Sequence, residues 1–293
     1  MQMVEIRPTA PLNTLMTPLD AILLGLVEGI TEYLPVSSTG HLILTTWLLG
    51  LDQPPETKQA TDTLNIVIQG GAILAVLGLY WNRVRQMFRG LIGRDPAGRR
   101  LLLAIIVAFI PAAVLGVLFD KVIEAALMGP LTVSIALAAG GILMVIVGRG
   151  PRRKSMTEGP DDITELPIKS ALIIGLLQCI AMIPGTSRSM VTIVGGMLVG
   201  MRPKAAAEFS FLLGLPTLGG ACVWKLWGNL TTAEQNLFQV LGVTEVLIAL
   251  VTATIASALA ITWLVNYLNR HGLAVFGWYR IVLAAIVAVA LLN

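Results

Sequence analysis

Charged residues are scarce in this chain, where they make up 13% of 293 residues while hydrophobic residues make up 56%. A soluble domain carries about 25% charged residues, so a soluble fold offers too little polar surface to enclose this much apolar material. The apolar residues also form long stretches with almost no charge, at 101–119, 131–148, 240–265 and 273–292. Each is close to the roughly 20 residues that a spanning helix needs. The sequence therefore predicts an all-α integral membrane protein.

Cysteine is also scarce, since the chain has only Cys179 and Cys222, both within apolar segments. Two thiols without metal-ligand spacing indicate neither a disulfide framework nor a zinc site, and we interpret both as small buried hydrophobic residues. Polar stretches long enough for a soluble domain are lacking too, so we expect one membrane domain over residues 1–293. The net charge of +3 does not indicate nucleic-acid binding, because the basic residues cluster in short stretches beside the apolar runs.

The basic residues indicate how the chain is oriented in the membrane. Arginine and lysine concentrate at 82–100 and 149–154, which by the positive-inside rule face the cytoplasm. The two spans between these stretches return the chain to the same side and leave 120–129 outside. The span before the first basic stretch places 52–63 outside, and 228–239, which has no lysine or arginine, is expected there as well.

Two apolar segments, 20–51 and 168–201, do not fit a simple span, because polar residues interrupt each of them near its middle. Each half has about 15 residues, or roughly 22 Å of helix, which is short of a hydrocarbon core of about 30 Å. A helix break at this depth is tolerated only inside protein or beside a wet cavity. We therefore predict two re-entrant helical hairpins that line a cavity.

The two hairpin segments resemble each other at an offset of about 150 residues. The matched residues are Gly25 with Gly175, Glu28 with Gln178 and, after one residue of slippage, Pro35 with Pro184 and Ser38 with Ser187. Three transmembrane spans follow each hairpin, so the order of elements repeats as well. The sequence thus predicts an inverted-topology repeat of residues 19–150 and 167–293. The first hairpin enters from outside and the second from the cytoplasm, which puts a polar site near the midplane.

Two glutamates in the first hairpin are candidates for a functional site. Glu28 and Glu32 are four residues apart, so on a helix they share one face. Carboxylates at membrane depth are costly and usually point into an interior cavity. The alternative is a shallow pair that reaches the membrane interface.

The residues after Pro35 form a candidate anion site. The helical half that follows opens with Ser37, Ser38, Thr39, Gly40 and His41. Hydroxyl groups and backbone N–H groups at a helix N-terminus suit a phosphate. An ordinary serine or threonine N-cap is the alternative, but it accounts for one hydroxyl only. His41 beside these hydroxyls can carry protons.

The second hairpin has a similar polar motif that includes a cation, because Arg188 stands between Ser187 and Ser189. An arginine binds two phosphate oxygens at once through its planar fork. An ion pair with Glu28 or Glu32 is the alternative, and it is compatible with phosphate binding by the same arginine. Together the hairpins would surround one cavity with acids, hydroxyls, a histidine and an arginine, which suits phosphate-ester or diphosphate chemistry on a lipid.

Both motifs resemble the signatures of a known family. The first signature of the undecaprenyl-diphosphate phosphatases, also called bacitracin-resistance proteins, is closely similar to Glu28-Gly-Ile-Thr-Glu-Tyr-Leu-Pro-Val-Ser-Ser-Thr-Gly-His41. Their second signature is similar to Pro184-Gly-Thr-Ser-Arg-Ser189, and similarity continues through 68–76, 206–213 and 278–280. The chain departs from the family pattern at Met190, where glycine is common, and at Asn65, where glutamate is frequent. Asn65 is therefore a poor candidate for an essential acid.

The resemblance implies an enzyme of the bacterial plasma membrane that hydrolyses undecaprenyl diphosphate to the monophosphate and phosphate, recycling the lipid carrier of wall synthesis. It also implies an active site open to the periplasmic side and a divalent cation, Mg²⁺ or alternatively Ca²⁺. The expected catalytic residues are Glu28, Glu32, Ser38, His41 and Arg188. The expected substrate-binding residues are Ser37, Thr39, Gly40, Ser187, Ser189 and Thr192. Glu28 and Glu32 would hold the metal or orient the attacking group.

The sequence leaves several alternatives open. The attacking group is either Ser38, activated by His41 or a glutamate, or a water molecule. A polyprenyl-phosphate transporter or flippase is the alternative function, because inverted repeats with broken helices are typical of transporters. A homodimer is allowed but not required. The charged residues without an assigned role are Glu208, Lys225, Glu245 and Arg280. Of these, Lys225 and Arg280 are expected to reach the lipid headgroups.

Overall fold

The structure is a computed structural model that describes residues 16–127, 129–149, 162–233, 235–268 and 270–292. All regular secondary structure in these residues is helical. The first half of the chain contains α1 (Pro18–Thr31), α2 (Ser38–Leu48), α3 (Pro55–Val67), α4 (Gln69–Leu79), α5 (Trp81–Leu91), α6 (Pro96–Leu127) and α7 (Pro130–Arg149). The second half contains α8 (Ile168–Gln178), α9 (Arg188–Leu198), α10 (Pro203–Thr232), α11 (Leu237–Leu241), α12 (Val243–Leu268) and α13 (Ala274–Leu292). Short 3₁₀ turns cover Ile163–Glu165 and Cys179–Met182.

Five of the helical stretches are long and apolar enough to cross a membrane. They are Pro55–Leu79, Pro96–Phe119, Leu131–Gly148, Pro203–Thr232 and Val243–Leu268. The prediction of an all-helical, multi-pass membrane protein is therefore confirmed for the described residues. The last span that the sequence predicts corresponds to α13, whose stretch Ala274–Val289 is apolar but shorter.

Helix covers more of the chain than the sequence predicts, because short polar stretches continue neighbouring helices instead of ending them. The expected outer loop 52–63 lies mostly in α3, which begins at Pro55. Proline suits the first turn of a helix, where backbone N–H groups have no intrahelical partner. The expected loop 82–100 contains α5, whose apolar face packs on α6. The expected loops 120–129 and 228–239 contain the ends of α6 and α10.

Both interrupted segments are broken helices, as the sequence predicts. Short non-helical stretches separate α1 from α2 and α8 from α9, with a 3₁₀ turn in the second. The residue before each new helix is a serine with left-handed backbone, with φ of 74° at Ser37 and 73° at Ser187. Their side chains accept hydrogen bonds from Gly40 N at 3.4 Å and from Met190 N at 3.3 Å. This backbone is unfavourable for a residue with a Cβ, so the surrounding structure must hold both turns in place.

The helices after the breaks also end alike. Gly50 and Gly200 follow α2 and α9 with φ of 69° and 96°, and each N–H bonds back to a carbonyl in the last turn. Glycine adopts this left-handed conformation at little cost. The common start and end of the two helices pair Ser37 with Ser187. The one-residue slippage expected from the sequence, which pairs Ser38 with Ser187, is therefore wrong.

The first helix of each broken pair packs against a long helix from the other half of the chain. α1 packs on α12 through Gly25 and Gly29, where a Cβ atom would lie 2.5 and 2.6 Å from backbone carbonyl oxygens of α12. α8 packs on α6, and a Cβ atom at Gly175 would lie 2.4 Å from Ala108 O. Small residues at such contacts allow helices in a membrane to approach closely. The two halves are thus interleaved.

An extensive apolar core surrounds the two breaks. It includes Tyr33 and Val36 at the first break, Met190 after the second, and Phe209 and Phe211 of α10, all of them at most 4% exposed. The polar residues of the breaks are therefore enclosed by apolar packing, and electrostatic interactions among them are stronger than they would be in water.

Candidate functional site

The two breaks lie against each other, although they are far apart in the chain. Ser189 Oγ at the second break donates a hydrogen bond of 3.0 Å to Leu34 O at the first. Arg280 of α13 donates to Pro35 O at 3.5 Å and to Gly185 O at 3.0 Å, so one guanidinium contacts both turns. The turns share one region of the protein, which a site built from both hairpins requires.

Glu32 connects polar side chains from both breaks. Its Oε1 accepts a hydrogen bond from Arg188 Nη2 at 3.0 Å, and its Oε2 accepts one from Ser38 Oγ at 2.7 Å. The side chains of Arg188 and Glu32 are only 9% and 6% exposed, so water screens their charges little. The ion pair that the sequence offers as an alternative for Arg188 is therefore present, with Glu32 as the partner.

Arg188 is held by more than this ion pair. Its Nη1 donates to Ser210 O at 2.8 Å, and its guanidinium carbon lies 5.4 Å from the centroid of the Tyr33 ring. Gly214 leaves room for the guanidinium, because a Cβ atom there would lie 3.1 Å from Nη1. The Arg188 Nε–H has no hydrogen-bond partner among the described residues. One buried charged donor is therefore left without an acceptor.

Glu28 is fully buried, and neither of its carboxylate oxygens has a hydrogen-bond partner in the part of the chain that the structure describes. It lies one helical turn before Glu32, and the two backbones are joined by the bond from Glu32 N to Glu28 O. An ionised carboxylate without a partner is costly to bury. The position therefore calls for a cation or a proton beside the Glu28 carboxylate.

The donor set fits a divalent cation that keeps other ligands. No group of three or more His, Cys, Asp or Glu side chains occurs within the described ranges, so the protein offers the Glu28 and Glu32 carboxylates alone. Mg²⁺ is commonly bound by one or two carboxylates together with water and substrate phosphate. Asn65 adds no third charge, since its neutral amide donates to Thr46 Oγ1 at 3.4 Å.

His41 has other partners than those expected from the sequence. Its Nδ1 lies 2.7 Å from Ser37 O and its Nε2 lies 2.6 Å from Tyr279 Oη, with the two rings stacked 5.6 Å apart. A carbonyl only accepts hydrogen bonds, so the neutral ring carries its proton on Nδ1 and accepts the Tyr279 hydroxyl at Nε2. Glu32, and not His41, is the hydrogen-bond partner of Ser38.

The other residues predicted to bind substrate lie at the two breaks, and several of their hydroxyls are engaged within the protein. Ser37 and Ser187 are the N-caps of α2 and α9. Ser187 Oγ lies 3.1 Å from Ser189 Oγ. Thr192 Oγ1 donates to Arg188 O at 2.8 Å and lies 2.6 Å from Ser210 Oγ, so it supports the turn that carries Arg188. Thr39 and Gly40 lie in the first turn of α2.

Arg280 is the residue at this site that sequence reasoning missed. It was expected to reach the headgroups, but the structure buries it completely. Its sequence signals are a charge within an apolar stretch and its place in the segment 278–280, which also contains Tyr279. Of the other charged residues without a role, Glu208 forms an ion pair of 2.8 Å with Arg83 Nε. That pair borders a cavity of 490 Å³ whose lining contains no residue of the two breaks.

Comparison with known proteins identifies relatives along nearly the whole chain. A family model described as bacitracin resistance protein BacA matches residues 21–286. An undecaprenyl-diphosphatase of Sorangium cellulosum is 47% identical over 268 residues, which cover 92% of this chain and 84% of the relative. Undecaprenyl-diphosphatases of Cereibacter sphaeroides and Acinetobacter baumannii are 42% and 41% identical. These alignments cover 94% and 92% of this chain, and 98% and 94% of the relatives.

Proposed function

Because the chain belongs to the bacitracin resistance protein BacA family, we propose that it is a membrane-embedded hydrolase that removes the terminal phosphate of undecaprenyl diphosphate. The products are undecaprenyl phosphate and inorganic phosphate, so the reaction recycles the lipid carrier of bacterial cell-wall synthesis. The observation that carries the proposal is the Glu32 carboxylate, which joins the hydroxyl of Ser38 to the guanidinium of Arg188. A nucleophile, a base and a phosphate-binding cation thus meet at one place.

The two breaks supply positive charge for the diphosphate. Each turn leads into a helix N-terminus, where N–H groups and the helix dipole favour an anion. Arg188 adds a full charge and an unbonded Nε–H. These groups stabilise the charge that develops on the equatorial oxygens of the transferred phosphoryl group. Thr39, Gly40 and the serines of both turns orient the phosphate within this field.

Ser38 is the nucleophile favoured by the hydrogen-bond pattern. Its Oγ donates to Glu32, whereas both ring nitrogens of His41 have other partners. Ser38 Oγ attacks the terminal phosphorus and gives its proton to Glu32. The bond from that phosphorus to the bridging oxygen breaks, and undecaprenyl phosphate leaves with the electron pair.

Water completes the reaction by attacking the phosphoserine. The bond between Ser38 Oγ and phosphorus breaks, and Ser38 Oγ takes back the proton from Glu32. One water hydrogen stays on the released hydrogen phosphate, and the other passes to solvent. His41, held by Tyr279, orients the first turn of α2 through its bond to Ser37 O. Water alone as the first attacking group remains the alternative, and a trapped phosphoserine distinguishes the two.

Glu28 and Glu32 are the residues that would hold a divalent cation, most simply Mg²⁺. The unpaired oxygens of Glu28 are the observation in favour. Such a cation supplies charge neutralisation for the phosphate oxygens. Ca²⁺ has the same preference for oxygen ligands, with looser geometry.

The membrane arrangement that fits this function is an inverted repeat of residues 19–150 and 167–293 within one domain. Support comes from the matching serine turns and the matching glycine ends. It also comes from the packing of α1 on α12 and of α8 on α6, because each of these helices packs on the other half of the chain. In this arrangement the two broken pairs are re-entrant hairpins, and the site opens to the periplasmic side. The arginines of α5 face the cytoplasm, in keeping with the positive-inside rule.

Release of inorganic phosphate by the purified protein tests the proposal. In detergent, with undecaprenyl diphosphate and Mg²⁺, the wild-type chain is expected to release one phosphate per lipid, and chelation of the metal is expected to stop release. The variant Ser38→Ala should release at least about 100-fold less. A transporter or flippase would release none in any condition, and that result from the wild-type protein would refute the proposal.

A further inference from the structure

Arg280 is a buried cation that donates its hydrogen bonds to backbone carbonyl oxygens. It lies in the second turn of α13 and is 0% exposed. Burying a guanidinium is costly unless its N–H groups are hydrogen-bonded. Here Nε donates to Leu137 O at 3.3 Å, and Nη2 donates to Ala136 O at 3.1 Å, both on α7. These bonds fix the guanidinium against the middle of α7.

The remaining bonds of Arg280 go to the two breaks. Nη1 donates to Pro35 O at 3.5 Å, and Nη2 also donates to Gly185 O at 3.0 Å. Pro35 lies two residues before Ser37, and Gly185 lies two residues before Ser187, so the guanidinium bonds both turns at matching positions. One rigid, planar group thereby sets the distance between the two turns.

The surroundings of Arg280 are shaped for a guanidinium. Gly140 of α7 faces it, and a Cβ atom at that position would lie 2.5 Å from Nη2. Gly185 has φ of 91°, which presents its carbonyl in a backbone conformation that favours glycine. A Cβ there would also lie 2.6 Å from Val133 O. Gly140 thus leaves space for the guanidinium, and Gly185 lets the second turn approach α7 closely enough to reach it.

We propose that Arg280 is a positioning residue that holds the two helix breaks together and so aligns Ser38, Glu32 and Arg188. This inference rests on the proposed phosphatase function. It assigns Arg280 a role that it performs by bonding the backbone of the two turns. The hydrogen bonds of Arg280 go to backbone carbonyls and to none of those three side chains, and each of its three nitrogens donates at least one of them. Because four of its five N–H groups are bonded to carbonyls, we assign it to holding the backbone and not to binding phosphate. It fixes the turns from which the reacting groups project.

The variants Arg280→Lys and Arg280→Met test this role. Lysine keeps the charge but has one nitrogen, so it cannot bond α7 and both turns together. We expect both variants to lose about 100-fold in kcat, as expected for a misplacement of about 1 Å. KM should change by no more than about threefold, because the groups that bind phosphate are retained. The matched control is Val287→Ala, which removes buried apolar volume from the same helix and should keep kcat despite a lower Tm.

Hydrogen exchange followed by mass spectrometry supplies a readout that general destabilisation does not produce. Well below Tm, Arg280→Lys should speed amide exchange in peptides that cover 32–38 and 184–190, whereas Val287→Ala should leave both peptides unchanged. Full activity in Arg280→Lys would overturn the proposal. Lost activity with unchanged exchange at both breaks would overturn it too, since Arg280 would then act on the substrate directly. If the wild-type protein released no phosphate, the proposed function would fail, while the exchange measurement would still test the role of Arg280.

Discussion

At the scale of single residues, Glu32 is the side chain that binds two other site residues at once. One oxygen accepts from Ser38 and the other from Arg188, so the same carboxylate is the counterion of Arg188 and, in the proposed mechanism, the base for Ser38. Removing either partner of a buried ion pair costs about 3–5 kcal/mol, because an unpaired charge is left behind. Changes at Glu32 should therefore affect both chemistry and stability.

The variant Glu32→Gln keeps the shape of the side chain and removes its charge. Phosphate release should fall by about 100-fold or more, because the amide cannot take the Ser38 proton. Tm should also fall, since Arg188 loses its counterion. Steady-state assays and thermal unfolding in detergent measure the two effects. Glu56→Gln, at an exposed acid in the first turn of α3, is the control that should change neither, and normal release by Glu32→Gln would exclude the base role.

Glu28 offers a test of the metal site that does not depend on activity. A cation that binds the folded protein raises its stability, by about 2.7 kcal/mol when its concentration is a hundred times Kd. Mg²⁺ should therefore raise the Tm of the wild-type protein and have much less effect on Glu28→Gln. Differential scanning calorimetry across a Mg²⁺ series measures this. An equal rise in Tm for both proteins would place the cation elsewhere.

Sequence predicts the charged site residues better than it predicts their supports. Glu28, Glu32 and Arg188 stand out because charge within apolar segments is rare and costly. Arg280 is also a charge within an apolar segment. Its partners are backbone carbonyl oxygens, however, and because every residue has one, the sequence does not show which of them a side chain will bond. Long-range packing likewise explains His41, whose contact with Tyr279 arises only when α13 lies beside α2.

At the scale of elements, the broken helices are predictable and their neighbours are not. Proline, glycine and serine clusters mark the breaks, and half-helices too short to span a membrane follow from the lengths alone. The ends of α3, α5 and α10 are less predictable, because polar residues at a membrane surface do not stop a helix. α5, for example, packs along α6 and ends just before Gly93, whose φ of 75° suits a helix end.

The contact between α1 and α12 gives a prediction for one glycine. A Cβ atom at Gly29 would lie 2.6 Å from Ala253 O and 2.6 Å from Ala256 Cβ. Gly29→Ala should therefore force the helices apart and lower the free energy of unfolding by about 1–3 kcal/mol, with loss of phosphate release. Gly78→Ala is the matched control, since a Cβ atom there meets nothing within 4 Å. Thermal unfolding compares the two, and equal stability would show that the α1–α12 contact is looser than described.

At the scale of the whole molecule, the distribution of charge predicts the orientation in the membrane. Arginines cluster around α5, whereas the stretch 228–239 contains none. In a variant with Cys179 and Cys222 replaced by alanine, an impermeant maleimide added to spheroplasts should label Gln235→Cys and leave Arg94→Cys unlabelled. Both positions are exposed on the protein. Mass spectrometry of the labelled protein reports the outcome. The reverse labelling pattern would mean that the site opens to the cytoplasm, which contradicts the proposed orientation.

A double-mutant cycle on kcat/KM tests most directly whether the two breaks form one phosphatase site. Ser38→Ala changes the first break, Arg188→Lys changes the second, and the double variant changes both. Residues that act as a unit are strongly non-additive, so the double variant should release phosphate no more than about threefold slower than the slower single variant. Losses that multiply would mean that Ser38 and Arg188 act independently, which contradicts a common site.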